Sequence, residues 1–496
     1  MIQHFKPLMI ASFISCISLV SCMKMDLDIY FNEDIYANAG NDNGYWSLEY
    51  GDKYDHFIDN PFIETSENNI STFSVDADGA SYANMRRYIM QNHRLPAASS
   101  VRIEEFLNYF TFDYPDPDDG NNVAINHEVS ICPWNEGHRL IRLGIKGMSI
   151  PEEQVPAANY VFLIDVSGSM NSADKIVLLK KGLITLTDNL RPDDRVSIIT
   201  YSGQVNKLLE STPASDSGTI KKAIGMLVAS GLTAGGEAMK MAYEEAIANY
   251  IEGGNNRIIM GTDGDFNVGV TAISDLVEMV ESYADKGIYL TICGFGSGDL
   301  NDAMMEKVSN CGNGTYEYID SEEEMTKVFV NERNKFYSVA NDAKIQITFN
   351  KEHVKSYRLI GYENRVMNND EFDDDRKDAG EIGAGQTITA LYEIIPAEGY
   401  NAAGTSCGIF DFRYKKSLDA ESILLSEEIK DNGDAMSVNM SFAAGTASFG
   451  MILRKSPYKG TSTFSMSEEL VKGGLSFDPC GYRQQFLEII GKAKEL

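Results

Sequence analysis

From residue 158 to residue 331 apolar runs alternate with amphipathic stretches, and this alternation restricts the fold more than any other feature of the chain. Tyr160-Val161-Phe162-Leu163-Ile164 is continuously apolar, the pattern of a strand covered on both faces of a parallel sheet. Similar runs recur at 196–200, 257–260 and 288–292. Between and around them, 173–190, 220–228, 237–250 and 273–284 carry helical periodicity. Such alternation predicts an α/β domain over 156–332, a doubly wound and mostly parallel sheet with right-handed crossovers.

The flanks have a different texture. Residues 71–150 open with Thr72-Phe73-Ser74-Val75, pass into helical spacing at Tyr82, Met85 and Ile89, and continue with an amphipathic stretch at 101–110. Two strand-like runs follow at 123–131 and 140–145, so this region reads as α+β. In 335–496 the period returns to two at 345–349, 388–394 and 409–414, as in antiparallel strands. Phe442, Thr446, Phe449 and Leu453 then fall on one helix face, and a further helix is predicted at 483–493. The α/β domain is therefore expected as an insertion between β-rich or mixed regions, with 71–150 and 335–430 free to pack together.

The first α/β strand runs into Asp165-Val166-Ser167-Gly168-Ser169. In open α/β sheets ligands bind beyond the carboxyl ends of the strands, at the topological switch point. A carboxylate and two hydroxyls at alternate positions of one glycine turn can face a single point. Hard oxygen donors of low total charge suit Mg²⁺ or Mn²⁺ rather than zinc.

These residues resemble the metal-ion-dependent adhesion site of the von Willebrand factor type A (VWA) domain, DxSxS…T…D. Asp165, Ser167 and Ser169 match its first loop, Thr233 in Gly231-Leu232-Thr233-Ala234-Gly235-Gly236 its second, and Asp263 in Thr262-Asp263-Gly264 its last. The resemblance implies a Rossmann-like fold and a metal with one open position, completed by an Asp or Glu of a protein partner. Ser74-Val75-Asp76, Ala80 to Asn84, Arg102 to Glu105 and Cys132-Pro133-Trp134 are similar to the N-terminal region of bacterial envelope VWA proteins. Tyr357 to Asn364 and Asp378 to Gly385 are similar to their uncharacterised C-terminal region.

The N-terminus adds a compartment. A basic start (His4, Lys6), an uncharged run and then Leu19-Val20-Ser21-Cys22 resemble a lipoprotein signal, with 1–21 removed and Cys22 lipidated. Acyl chains on that cysteine would anchor the chain without a spanning helix. Residues 25–70 hold eleven acidic residues and one lysine, so 22–70 reads as an acidic tether. The expected location is the cell envelope, lipid-anchored, in the outer membrane of a Gram-negative bacterium.

With 43 Lys+Arg against 73 Asp+Glu the formal charge is −30, which argues against nucleic acid as a partner. No GxxxxGK[ST] motif is present, which excludes a P-loop nucleotide site. Gly404-Thr405-Ser406-Cys407-Gly408 fits a nucleophile elbow, but an alternating strand follows where a helix is needed. Ser172 to Lys175 fits SxxK, with Ser172 better read as a helix N-cap, and Gly294 to Gly298 reads as a turn. Asp370, Asp373, Asp374 and Asp375 lack the spacing of an EF-hand loop and read as a solvated loop. Cys132, Cys293, Cys311, Cys407 and Cys480 have neither disulfide-framework nor zinc spacing. Asp265 and Glu237 lie near the metal motif, yet nothing positions either as a base, so no enzymatic activity is expected. The alternative to metal-dependent capture is an envelope scaffold whose flanking β regions bind partners without metal.

Overall fold

The computed structural model describes residues 52–496 except 119, 232–235, 265–272, 299, 378 and 403. The N-terminal flank supplies β1 (Ile63–Glu64), β2 (Ile70–Ser74), α1 (Ala80–Met90), α2 (Ile103–Asn108), β3 (Val123–Ile131) and β4 (Arg139–Gly147). The α/β domain follows as β5 (Ala158–Asp165), α3 (Leu178–Asp188), β6 (Arg195–Ser202), β7 (Gln204–Pro213), α4 (Ser217–Gly225) and α5 (Gly236–Ala248). It continues with β8 (Asn255–Thr262), α6 (Ile273–Ala284), β9 (Ile288–Phe295), α7 (Asp302–Cys311), β10 (Tyr316–Ile319) and α8 (Glu322–Thr326). The C-terminal flank contains β11 (Ser338–Phe349), β12 (Val354–Ile360), β13 (Val366–Met367), β14 (Gly380–Gly383), β15 (Thr387–Pro396), β16 (Thr405–Lys415) and β17 (Ile423–Asp431). It ends with α9 (Val438–Arg454), α10 (Phe464–Gly473) and α11 (Tyr482–Ala493).

The α/β sheet has the order β10-β9-β8-β5-β6-β7, parallel throughout except for β7, which pairs antiparallel with β6 at the edge. Alternate residues of each strand feed two cores. Val161 and Leu163 meet Met239 and Tyr243 of α5 on one face, while Phe162 and Ile164 meet Leu179 and Leu183 of α3 on the other. Every residue of β5 is buried, which is why its sequence is apolar without alternation. The chain leaves β5 for β6 on one side and returns to β8 on the other, so the switch point lies beside the carboxyl end of β5.

The two flanks build one body. β2 pairs with β11, and β4 pairs with β15, so each antiparallel sheet takes strands from both sides of the α/β insertion. The sheets run β1-β12-β15-β4-β3 and β13-β2-β11-β16-β17, with β14 on β11. Between them lies a core containing Phe73, Ile141, Leu143, Ile345, Ile347, Tyr357 and Phe410. Leu140, Ile360 and Leu391 point away from that core, under a helical layer that includes Phe106 and Phe442.

Two expectations change. Residues 52–70 do not act as a solvated tether: β1 pairs with β12, Lys53 bridges Asn301, and Asn60 donates to the carbonyl of Gly361 at 2.8 Å. The Asp52 carboxylate accepts from Arg87 Nη2 at 2.9 Å and from the Gly298 amide at 2.8 Å, so an acid that looked solvated neutralises a largely buried arginine. The rest of the proposed tether, 22–51, lies outside the described residues, as do 1–21 with the signal reading. The sequence pattern does not predict β7; as an edge strand hydrogen-bonded on one side only, it carries polar residues where central strands carry apolar ones.

Removing bulk from the sheet centre should cost far more than removing it from an edge. Leu163→Ala, at a fully buried position of β5, is expected to lower stability by about 2–5 kcal/mol. Leu424→Ala, on the exposed side of β17, should stay within about 0.5 kcal/mol. Urea denaturation of the two variants checks the contrast.

Candidate metal centre

The apolar strand β5 delivers the Asp165 carboxylate to a buried position at the switch point. There it closes a small turn on itself: Oδ1 accepts the Ser167 amide at 2.8 Å. Its Oδ2 accepts from Thr262 Oγ1 at 3.3 Å, and that hydroxyl in turn accepts the Gly264 amide at 3.1 Å. After extended backbone at Ser167, a 3-10 turn over Gly168–Met170 carries the chain past Ser169. The Ser167 and Ser169 hydroxyls lie 2.9 Å apart, Ser167 buried and Ser169 exposed.

Neighbouring loops frame this turn. Ser230 donates its amide to the carbonyl of Val166 at 2.7 Å, and Gly168 donates to the carbonyl of Gly231 at 3.0 Å. These bonds bring the segment leading to Thr233 against the Asp165 loop. Thr233 itself lies outside the described residues. From β8, next to β5, comes buried Asp263. Gly264 follows with φ +91°, and a Cβ there would meet the Asn301 amide nitrogen at 2.4 Å, so only glycine turns the chain at this point.

Lys175 adds a cation that the metal motif does not include. Its Nζ lies 2.9 Å from Asp263 Oδ2 and donates to the carbonyl of Ser169 at 3.1 Å. Its stem crosses Gly296, where a Cβ would come within 2.2 Å of Lys175 Cε. The SxxK spacing around it does not reveal this partner, which is 88 residues away. Ser172 takes the N-cap position of the turn Ala173–Val177, yet its hydroxyl donates to Asp174 Oδ1 at 2.5 Å instead of capping the backbone.

Burial pushes the Asp165 carboxyl up to about 6, with the hydrogen bonds from Ser167 opposing the shift and the nearby Asp263 charge adding to it. Two carboxylates thus converge where water is scarce, and an ammonium group already sits on one of them. Two carboxylates and two hydroxyls form a hard-oxygen donor set that fits Mg²⁺ or Mn²⁺.

The remaining candidates fall elsewhere. Ser406 and Cys407 lie within β16, not on an elbow. Asp373 and Asp375 pair with Arg413, and Asp374 with Arg376, in an exposed loop. Among the described residues no disulfide forms; Cys132, Cys293 and Cys407 are buried, Cys311 is partly buried and Cys480 exposed. Glu237 is exposed in the first turn of α5, and Asp265 lies outside the described residues. Among the described residues no helix is long and apolar enough to cross a membrane.

Comparison with known proteins places three families along the chain: "von Willebrand factor" at 49–142, "von Willebrand factor type A domain" at 159–331, and "Uncharacterized protein YfbK, C-terminal" at 334–496. The uncharacterized protein YfbK of Escherichia coli (strain K12) is 36% identical over 464 residues, covering 88% of this chain and 80% of YfbK. Human inter-alpha-trypsin inhibitor heavy chain H4 is 34% identical over 165 residues, 30% of this chain and 17% of that protein. Among solved structures, a von Willebrand factor type A protein from Catenulispora acidiphila superposes with a TM-score of 0.44 at 14% identity, covering 77% of this chain and 91% of that one. With its VWA-type α/β domain set into antiparallel sheets, the chain belongs to the family of Escherichia coli YfbK.

Proposed function

We propose that this chain is a lipid-anchored cell-envelope protein that captures a protein ligand through Mg²⁺ or Mn²⁺ held by Asp165, Ser167, Ser169, Thr233 and Asp263. The observation that carries this reading is the convergence of two buried carboxylates and a hydroxyl pair at the switch point of a VWA-type sheet. The cation supplies a Lewis-acidic point that an Asp or Glu of the partner completes. Asp165 and Asp263 hold it from the buried side, Ser167 and Ser169 from the loop, and exposed Ser169 marks the side open to a partner. Thr233 enters through its match to the VWA pattern. The role is binding rather than catalysis.

The overall charge does not oppose an acidic partner, because at about 0.15 M salt the Debye length is about 8 Å and only neighbouring charges count. Anchorage at Cys22 and a cell-envelope location rest on the signal-like N-terminus.

Three outcomes follow. At about 100 times its Kd, Mg²⁺ should stabilise the α/β domain by about 2.7 kcal/mol. Thermal melts with Mg²⁺ and with EDTA should show that rise in the wild type and lose it in Asp165→Ala. Capture of a partner that persists at full strength in EDTA would instead assign binding to the flanking sheets.

The second outcome concerns pH. A carboxyl raised to about 6 is disfavoured as an anion in the metal-free fold, so Asp165 costs stability as pH rises through 4 to 6. Metal must displace its proton below 6. Calorimetric titration should therefore find Mg²⁺ binding about tenfold weaker at pH 5 than at pH 7.5.

The third concerns Lys175, which competes for Asp263. Lys175→Met should tighten Mg²⁺ binding several-fold and lower the melting temperature in EDTA, where Asp263 loses its counter-charge. Relative to wild type, the drop in melting temperature should be larger in EDTA than in Mg²⁺, where tighter binding recovers part of it.

A further inference from the structure

A second place in the molecule gathers more negative charge than its neighbours balance. Asp76 and Asp78 follow β2, Glu105 lies on α2, and Asp302 and Glu306 lie on α7 of the α/β domain. All five are at most 5% exposed. Among the described residues, the guanidinium groups that meet them are Arg102 and Arg365.

The hydrogen bonds are shared unevenly. Arg102 holds Glu105 and Asp302, and Arg365 Nε donates to Asp76 Oδ2 at 3.0 Å. Glu306 Oε1 accepts from Asn310 at 3.2 Å and Asn364 at 3.3 Å, but its Oε2 has no hydrogen-bond donor among the described residues, with Arg102 Nη2 3.6 Å away. Asp78 Oδ1 accepts the Tyr316 amide at 2.9 Å, while its Oδ2 also lacks a donor although the residue is 2% exposed. That oxygen faces the same cluster, because Arg365 Nη2 lies 3.9 Å from it and 3.6 Å from Glu306 Oε1. An oxygen each from Asp76, Glu105 and Glu306 come within 4.8 Å of one another.

We infer that Asp76, Glu105 and Glu306, with Asp78 beside them, form a second, buried divalent-cation site that takes Ca²⁺. Two oxygens bound to one Ca²⁺ at about 2.3–2.6 Å can lie up to about 5.2 Å apart, so the spacing admits a shared ion. All of the donors are carboxylate oxygens, the ligands this hard cation prefers. The alternative way to neutralise the cluster is protonation; burial and then the neighbouring acids push Asp78 upward, and burial pushes Glu105 and Glu306 upward. Because Glu306 belongs to the α/β domain and Asp76 and Glu105 to the N-terminal flank, the ion would fasten the inserted domain to the body built by the flanks.

The test uses the full chain carrying Asp165→Ala, so that the switch-point site is silent and the outcome is independent of the proposed adhesion role. After EDTA treatment, Ca²⁺ and Mg²⁺ are titrated by calorimetry and by thermal melting, with and without Glu306→Gln. The expected result is one saturable Ca²⁺ site that raises the melting temperature, tighter for Ca²⁺ than for Mg²⁺ and weakened at least tenfold by Glu306→Gln. In EDTA the Glu306→Gln protein should melt no lower than its parent, since it removes an excess charge. Should that variant fail to fold, Asp78→Asn serves the same comparison. No saturable Ca²⁺ binding to the Asp165→Ala chain would overturn the site and leave protons as the neutralising charge. Binding that survives both substitutions unchanged would overturn it equally, by placing the ion elsewhere.

Discussion

A carboxylate at the end of a strand buried on both faces must find its charge balance locally, and the candidate centre is organised around that need. Asp165 has lost its water because β5 is apolar on both sides. It recovers two hydrogen bonds, from Ser167 and Thr262, yet desolvation prevails and lifts its carboxyl to about 6. Asp263 brings a second negative charge from the adjacent strand, and Lys175 neutralises part of it. The arrangement is short of positive charge without Lys175 and only partly balanced with it.

The same excess of buried acid recurs where the inserted domain meets its surroundings. Glu105 and Asp302 share Arg102, and Asp76 and Asp78 share Arg365, so ionic contacts as well as apolar ones join the regions. Strand exchange does the rest: β2 completes a sheet with β11, and β4 completes the other with β15, across the whole length of the insertion. The α/β domain leaves and re-enters this body through β4 and β11, so both of its ends are tied to strands of the sandwich.

Legibility in the sequence followed burial. β5, β8 and β9 could be read because strands covered on both faces carry runs of apolar residues at their centres, such as Tyr160 to Ile164 and Ile258 to Met260. β12 could not, since its Ser356 and Arg358 are buried polar residues and Arg358 finds its partner, Glu393, only once β15 lies alongside. β17 alternates exposed and half-buried residues at an edge, and its Glu427, Glu428 and Lys430 hide the strand pattern in the sequence. The metal motif was legible because its first loop is local: Asp165, Ser167 and Ser169 meet through neighbouring backbone. Lys175 and the Asp76–Glu105–Glu306 group depend on contacts between distant segments, which no single-sequence spacing encodes.

The most direct test of the switch-point centre is anomalous scattering from crystals grown with Mn²⁺. The expected result is a manganese peak among the Asp165 carboxylate and the Ser167 and Ser169 hydroxyls, within coordination distance of Thr233. Crystals at the same Mn²⁺ concentration with no peak there, and with Lys175 still seated on Asp263, would contradict metal-dependent capture and return attention to the flanking sheets.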